Sequence, residues 1–302
     1  MNLGKKDFND FLILKEINEE LNTKIEDIEI KSLILRNKNL GNSKLICLNK
    51  LESKDLKEIQ LTSNKISDIT MLENYRFENL EILGLRRNNL SNIKPLEKVN
   101  FKELKKLDLS CIQILHIDIL KNVKFQKLEE LNLYGNKISC INALEKVNFR
   151  ELKKLNLGSN QISDIDILEN VKFEKLEELN INHNKISDIN ILENVNFREL
   201  IGLYLNYNRI SDISVLEKVK FEKLGSLVLS DSQISDNDVL EKVNFPKLLE
   251  LSLSDNKISN IEVLEKVKFN LFSLNLSGNK VNKKLNSSLI EKLKSQINYL
   301  LI

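Results

Sequence analysis

From Leu56 to Leu248 a leucine returns every 24 residues, passing through Leu80, Leu104, Leu128, Leu152, Leu176, Leu200 and Leu224. Inside each copy the apolar positions follow one formula, LxxLxLxxNxI. In the copy that opens at Leu176 these are Leu176, Leu179, Ile181, Asn184 and Ile186. Alternation across Leu179-x-Ile181 sends both side chains to one face, which predicts a short strand buried on one side. So short a strand cannot bury its leucines alone. Stacked copies can, so the pattern predicts one elongated array of repeats with parallel strands side by side. The second half of the same copy carries Ile189, Leu192, Val195 and Phe197, a spacing that suits a short helical or 3-10 segment on the outer side. Repetition turns the last of these into a column: Phe77, Phe101, Phe125, Phe149, Phe173, Phe197, Phe221, Phe245 and Phe269. That column holds nine of the chain's 12 phenylalanines and reads as core.

Asn184 and its equivalents Asn64, Asn88, Asn136, Asn160, Asn208, Asn256 and Asn279 follow the strand, where the chain turns inward. A buried amide there can bond the backbone of its own turn and of the next, as a buried polar group must. Ile112 and Ser232 interrupt the ladder, so those two turns are expected to be bonded differently. The formula LxxLxLxxNxI resembles the leucine-rich-repeat family. The following ISDIxxLExV resembles its shorter class, found in a phosphatase regulatory subunit and in bacterial internalins. The resemblance covers about ten copies, from Ile30 to Val281. It implies an α/β solenoid, curved as a horseshoe or arc. A parallel β-sheet would line the concave face, with short helical or 3-10 segments on the convex face.

Such a stack leaves an open apolar end at each terminus, which needs a cap. Residues 1–29 are expected to supply one as a helix over 7–22, with Phe8, Phe11, Leu12, Ile17 and Leu21 on one face. The same face could instead bind a partner. Residues 30–281 are the repeats, and 282–302 are expected to close the stack as a helix. Asn286, Ser287 or Ser288 can cap that helix. Leu289, Leu293 and Ile297 can face the core, and the final YLLI is apolar enough to be packed down as well.

Composition narrows the chemistry. The net charge of +2 argues against a nucleic-acid or membrane-surface role. No apolar run reaches the ~18–20 residues needed to span a bilayer. The amino terminus lacks the uninterrupted apolar core and small-residue cleavage site of a signal peptide. Cys47, Cys111 and Cys140 are scattered and form no paired spacing, which favours a reducing, cytoplasmic compartment; an exported effector without a cleavable signal is the alternative. His116 and His183 lie on different copies, and no phosphate loop, Ser-His-Asp set or HExxH occurs. Catalytic residues, metal ligands and cofactors are therefore expected to be absent, and a small-molecule substrate is disfavoured. The carboxylates recur with the repeat, as in Asp164, Asp188 and Asp212, which marks a turn or helix start.

Function is then expected where the copies differ. After the first leucine they alternate Lys105-Lys106, Glu129-Glu130, Lys153-Lys154 and Glu177-Glu178, a ladder whose neighbouring rungs attract each other. The next copy abandons it for Ile201, Gly202, Tyr204, Asn206 and Tyr207. Asn180, Asn182 and His183 flank that copy on one side, with Val228, Ser230 and Asp231 on the other. An exposed aromatic patch rimmed by acids and amides has the composition of a protein-binding hot spot. Tyr134 is placed on the same face. Arg86, Arg87, Lys105 and Lys106 form a second, basic patch suited to an acidic partner or a phosphate. The reading is a non-enzymatic scaffold that takes a protein partner on its concave face. Its rivals are nucleic-acid binding through the basic amino-terminal half, and an assembly part that docks by its caps.

Overall fold

The computed structural model describes residues 15, 18, 19, 31–45, 56–75 and 77–302. The residues expected to form the amino-terminal cap face lie outside these, as does Cys47. The chain divides into two compact units. The first comprises Met1–Lys137 and Lys146–Arg150, and the second Ile138–Glu145 and Glu151–Ile302.

In the first unit five three-residue strands follow one another: β1 Ser32–Ile34, β2 Glu58–Gln60, β3 Ile82–Gly84, β4 Lys106–Asp108 and β5 Glu130–Asn132. Each pairs in parallel with the next in sequence, so Ile82 lies opposite both Glu58 and Lys106. The second unit continues with β6 Lys154–Asn156, β7 Glu178–Asn180, β8 Gly202–Tyr204, β9 Ser226–Val228, β10 Glu250–Ser252, β11 Ser273–Asn275 and β12 Tyr299–Leu301. These too pair in order and in parallel. The middle residue of each repeat's strand points inward. Leu83, Leu107 and Leu131 in the first unit and Leu179, Leu203, Leu227 and Leu251 in the second are all 1% exposed or less. Their neighbours stand on the opposite, solvent-facing side of the sheet, as the pleat demands.

Opposite the strands the repeats of β2 to β10 each close with a 3-10 turn, such as Asp166–Glu169, Asn190–Glu193 and Ser214–Glu217. The recurring aspartates start them: Asp164, Asp188 and Asp212 each accept the backbone N–H two residues on, at 2.8–2.9 Å. They hold turns, as their recurrence suggested. The phenylalanine column is buried from Phe77 to Phe245, at 1–2% exposure. Phe269 is only half-buried, because the repeat after it is one residue shorter and its covering layer is the last. The fold is therefore the expected one, a leucine-rich solenoid with a parallel sheet on one side and 3-10 turns on the other.

The asparagine ladder forms, but it reaches in the other direction. Asn184 Nδ2 donates to Ile181 O in its own turn at 3.1 Å and to Leu157 O in the preceding repeat at 3.0 Å. Its Oδ1 accepts the N–H of Ile162, also one repeat back, at 2.9 Å. Asn208 and Asn256 repeat this arrangement. The chain turns just before each asparagine through a left-handed residue, so the amide is aimed at the strand behind it. The two interruptions differ. Ile112 fills its position with a buried aliphatic chain. Ser232 is too short to reach either carbonyl, and its buried hydroxyl has no partner within the protein. The same repeat replaces the usual isoleucine of the SDI phrase with Asn237, whose buried Nδ2 is also unpartnered.

At the carboxyl end α1 spans Ser287–Gln296 and buries Leu289, Ile290 and Leu293, with Ile297 buried just beyond it. Asn286 is the N-cap but makes no side-chain cap bond; its Nδ2 donates to Asn282 O at 2.9 Å instead. The last residues leave the helix for β12. Only the middle of that strand turns inward, and Tyr299 and Leu301 are 63% and 57% exposed, contrary to the expectation that YLLI packs down. A strand alternates sides, so half of an apolar run must face solvent.

Candidate functional site

Each repeat presents two rows of side chains on the sheet face ahead of and within the strand, and a third just after it. The third row owes its position to backbone geometry. Arg87, Cys111, Ser159, His183, Tyr207, Asp231 and Asp255, each preceding the ladder position, have φ between 49° and 57°, in the left-handed region. A bulky residue there costs roughly 1–2 kcal/mol. Every copy adopts it, so the conformation belongs to the repeat and lets one copy differ from the next only in what it displays.

In the second unit this row brings His183, Tyr207, Asp231 and Asp255 side by side. The His183 and Tyr207 rings stack with centroids 3.9 Å apart and planes inclined by 10°. The charge of Asp231, and its hydrogen bond from the phenol, push the Tyr207 hydroxyl above its usual pKa, with burial and Asp255 adding to the shift. The Tyr207 ring is 45% exposed. Tyr204, Asn206 and Val228 are half-buried nearby, and Tyr204 lies opposite Asn180 and Val228 in the strand register. The Tyr204 ring covers Gly202 so closely that a Cβ on Gly202 would sit 2.9 Å from it. Asn180 is occupied in its own turn, accepting the Asn182 N–H at 3.0 Å. Asn182 is half-buried with its Oδ1 enclosed and unpartnered, so of the sequence-derived set it is the least available. Tyr134 belongs to the first unit, where it is half-buried and its N–H is held by Asn132 at 3.0 Å.

The basic patch of the first unit is largely compensated. Lys105 and Lys57 both reach Glu81 at 2.8 Å, and Lys106 reaches Glu130 at 2.8 Å. Arg86 is half-buried and Arg87 exposed. The two hydrogen bonds, from Lys105 first and Lys57 second, hold the Glu81 carboxyl down at about 2 against an ordinary 4.5. A depressed carboxyl pKa stabilises the fold fully above the unfolded value, and that stability is lost as pH falls from about 4.5 toward about 2. Urea midpoints at about pH 6 and about pH 3 should therefore fall further apart in the parent than in Glu81→Gln. Equal differences would show that the three charges do not act on folding.

Sequence reasoning missed part of the sheet face. In the row ahead of the strands Leu249 is 56% and Phe272 49% exposed, in line with Ile201, already placed on this face and 48% exposed, with Gly225 between Ile201 and Leu249. Phe272 meets Tyr299 edge to face at 5.1 Å. Leu249 was visible by phase, one and two copies after Gly225 and Ile201. Phe272 and Tyr299 were hidden by the shortened last repeat and by the strand that follows α1. Among the described residues no group of three His, Cys, Asp or Glu side chains is placed to hold a metal ion. Nor is any helix among them long and apolar enough to cross a membrane.

Residues 150–194 match a family model described as leucine-rich repeats (two copies). An internalin of Listeria monocytogenes is similar over 97% of this chain and 88% of its own, at 24% identity and a TM-score of 0.69. A leucine-rich-repeat protein of Leptospira interrogans is similar over 85% of this chain and 68% of its own, at 24% identity and a TM-score of 0.67. The leucine-rich-repeat ectodomain of a receptor kinase from Arabidopsis thaliana, solved with Casparian strip integrity factor 2, is similar over 90% of this chain but 32% of its own. Its identity is 20% and its TM-score 0.62. At such identities the likeness is one of fold. No curated protein matches the chain.

Proposed function

We propose, from the premise that this chain is a leucine-rich-repeat protein, that it is a non-enzymatic scaffold which captures a protein partner on the sheet face of its second unit. The fold in general serves protein–protein interaction, and the plant ectodomain, solved in complex, is one relative with a partner in place. The observation that carries the choice of face is the change at β8. From β4 to β7 each strand opens on a charged residue, paired as Lys106 with Glu130 at 2.8 Å in the first unit and Lys154 with Glu178 at 2.5 Å in the second. From β8 they hold Ile201, Tyr204 and Tyr207, with Asp231 and Asp255 beside them and His183 stacked on Tyr207. Rigid aromatic side chains with a polar rim are the usual anchors of an interface. A paired ladder of exposed ions contributes only ~0–1 kcal/mol per pair and offers a partner little.

No observation favours nucleic acid, since the lysines nearest to a basic patch are bound to Glu81 and Glu130. The same reading puts the protein in a reducing compartment, where the exposed Cys140 thiol would persist. The test is hydrogen-exchange footprinting of the chain with a partner captured from its source cell. Slowed exchange should fall on β7 to β10 and the turns that follow them. Protection confined to the 3-10 side, or to α1, would move the binding site there and overturn the reading.

A further inference from the structure

Nine large apolar side chains among the described residues are exposed, and four of them, Ile201, Leu249, Phe272 and Tyr299, line one groove across β8 to β12. Scattered exposed apolar side chains are ordinary; a contiguous set beside polar residues marks a contact surface. The groove encloses about 590 Å³. Its floor is low at Gly225, between Ile201 and Leu249, where a Cβ would meet nothing nearer than 3.7 Å, while the Tyr204 ring that covers Gly202 forms part of the wall. Apolar walls therefore stand on either side of an open strip of backbone.

Charge identifies what fits there. Glu178 and Glu250 stand in the groove wall itself, and Asp231 and Asp255 lie beyond it on the same face. Glu250 accepts a hydrogen bond from Ser226 Oγ at 2.8 Å, and Glu178 is paired with Lys154. From Glu177 to Leu301 the positions on this face carry five carboxylates and no lysine or arginine. We infer that the groove binds a short apolar segment of a partner protein flanked by lysine or arginine. Adjacent parallel strands lie ~4.8 Å apart, so four steps from β8 to β12 span about 19 Å, the reach of roughly six extended residues at ~3.3 Å each. The apolar side chains settle between Ile201, Leu249 and Phe272, and the flanking cations meet Glu178 at the β7 edge or Glu250 and the aspartates alongside. The inference rests on the sheet face being the partner-binding surface and adds the chemistry of the partner.

The probe is a fluorescent heptapeptide, Arg-Leu-Ser-Phe-Ser-Leu-Arg, followed by anisotropy on the full chain. It should bind saturably, and more weakly as salt is added. Replacing both arginines by glutamate should weaken binding at least about tenfold, and replacing the leucines and phenylalanine by serine should abolish it. Gly225→Lys, which fills the strip and adds a positive charge, should lower affinity at least about tenfold with an unchanged melt, and Leu249→Ser should act in the same direction. Equal binding of the arginine and glutamate peptides, or full binding by Gly225→Lys, overturns the inference. So does a dimer of this chain that Gly225→Lys dissociates, since the occupant would then be a second copy. A captured partner that protects β7 to β10 yet binds Gly225→Lys unchanged removes the groove and leaves the scaffold reading standing. Protection absent from the sheet face removes both.

Discussion

Phe173→Ala should destabilise the second unit by about 3–5 kcal/mol, the usual penalty for emptying a large buried site. The ring is 1% exposed and sits in a column whose members are contributed one per repeat. Removing it leaves a void that adjacent repeats cannot close, because their own phenylalanines are held by the same 24-residue register. The loss should appear in urea unfolding followed by circular dichroism. Local opening can precede global unfolding in an array, so hydrogen exchange of the flanking strands gives the second readout. Phe269→Ala is the internal comparison, since that ring is only half-buried and its loss should cost clearly less. A Phe173→Ala protein within about 1 kcal/mol of the parent would mean that the column adds little to the core.

Pairing Tyr204→Ala with Tyr207→Asn should weaken partner binding at least about thirtyfold, the equivalent of ~2 kcal/mol for a lost aromatic anchor. Asparagine suits the second position because Tyr207 has φ of 57°, a conformation it adopts more readily than alanine. The stack on His183 and the bond to Asp231 both disappear, but both lie at the solvent face. Stability should therefore fall by no more than about 1.5 kcal/mol. Lys153→Ala, on the charged ladder, should bind nearly as well as the parent. Titration calorimetry with the captured partner measures all three. Equal affinities would take the anchor role away from the tyrosines.

What the sequence revealed was whatever it repeated. The strand leucines, the phenylalanine column and the asparagine ladder recur at one phase, and a feature written many times is read despite single exceptions. The direction of the ladder was not legible, because an amide between two equivalent turns can bond either one; the left-handed turn before Asn184 decides it. Single events were harder. Asn286 donates its Nδ2 to Asn282 O and its Oδ1 makes no cap bond, an orientation that no periodicity announces. In the candidate site, Tyr204, Tyr207, His183 and Asp231 come together because they share neighbouring copies. Leu249, Phe272 and Tyr299 are not legible as a group, because the groove is built from one side chain each on several copies and no single copy carries a motif for it. Phe272 and Tyr299 are also offset from the 24-residue phase.

The unpartnered Ser232 hydroxyl and Asn237 amide fall in one repeat, the one that supplies β9. Each enclosed, unpaired polar group costs about 1–3 kcal/mol. In a linear array a segment's stability is its own plus that of two junctions. This copy holds two such groups where the β7 copy holds one, at Asn182, so it is the weaker coupling, and melting of the second unit has a natural boundary at β9. The residues after it, β10, β11, α1 and β12, would leave as a block before the residues ahead of it do. A ligand lying from Ile201 to Tyr299 crosses that boundary and holds both banks. Occupancy would then raise the free energy of opening by mass action, so that binding is felt as a gain in cooperativity.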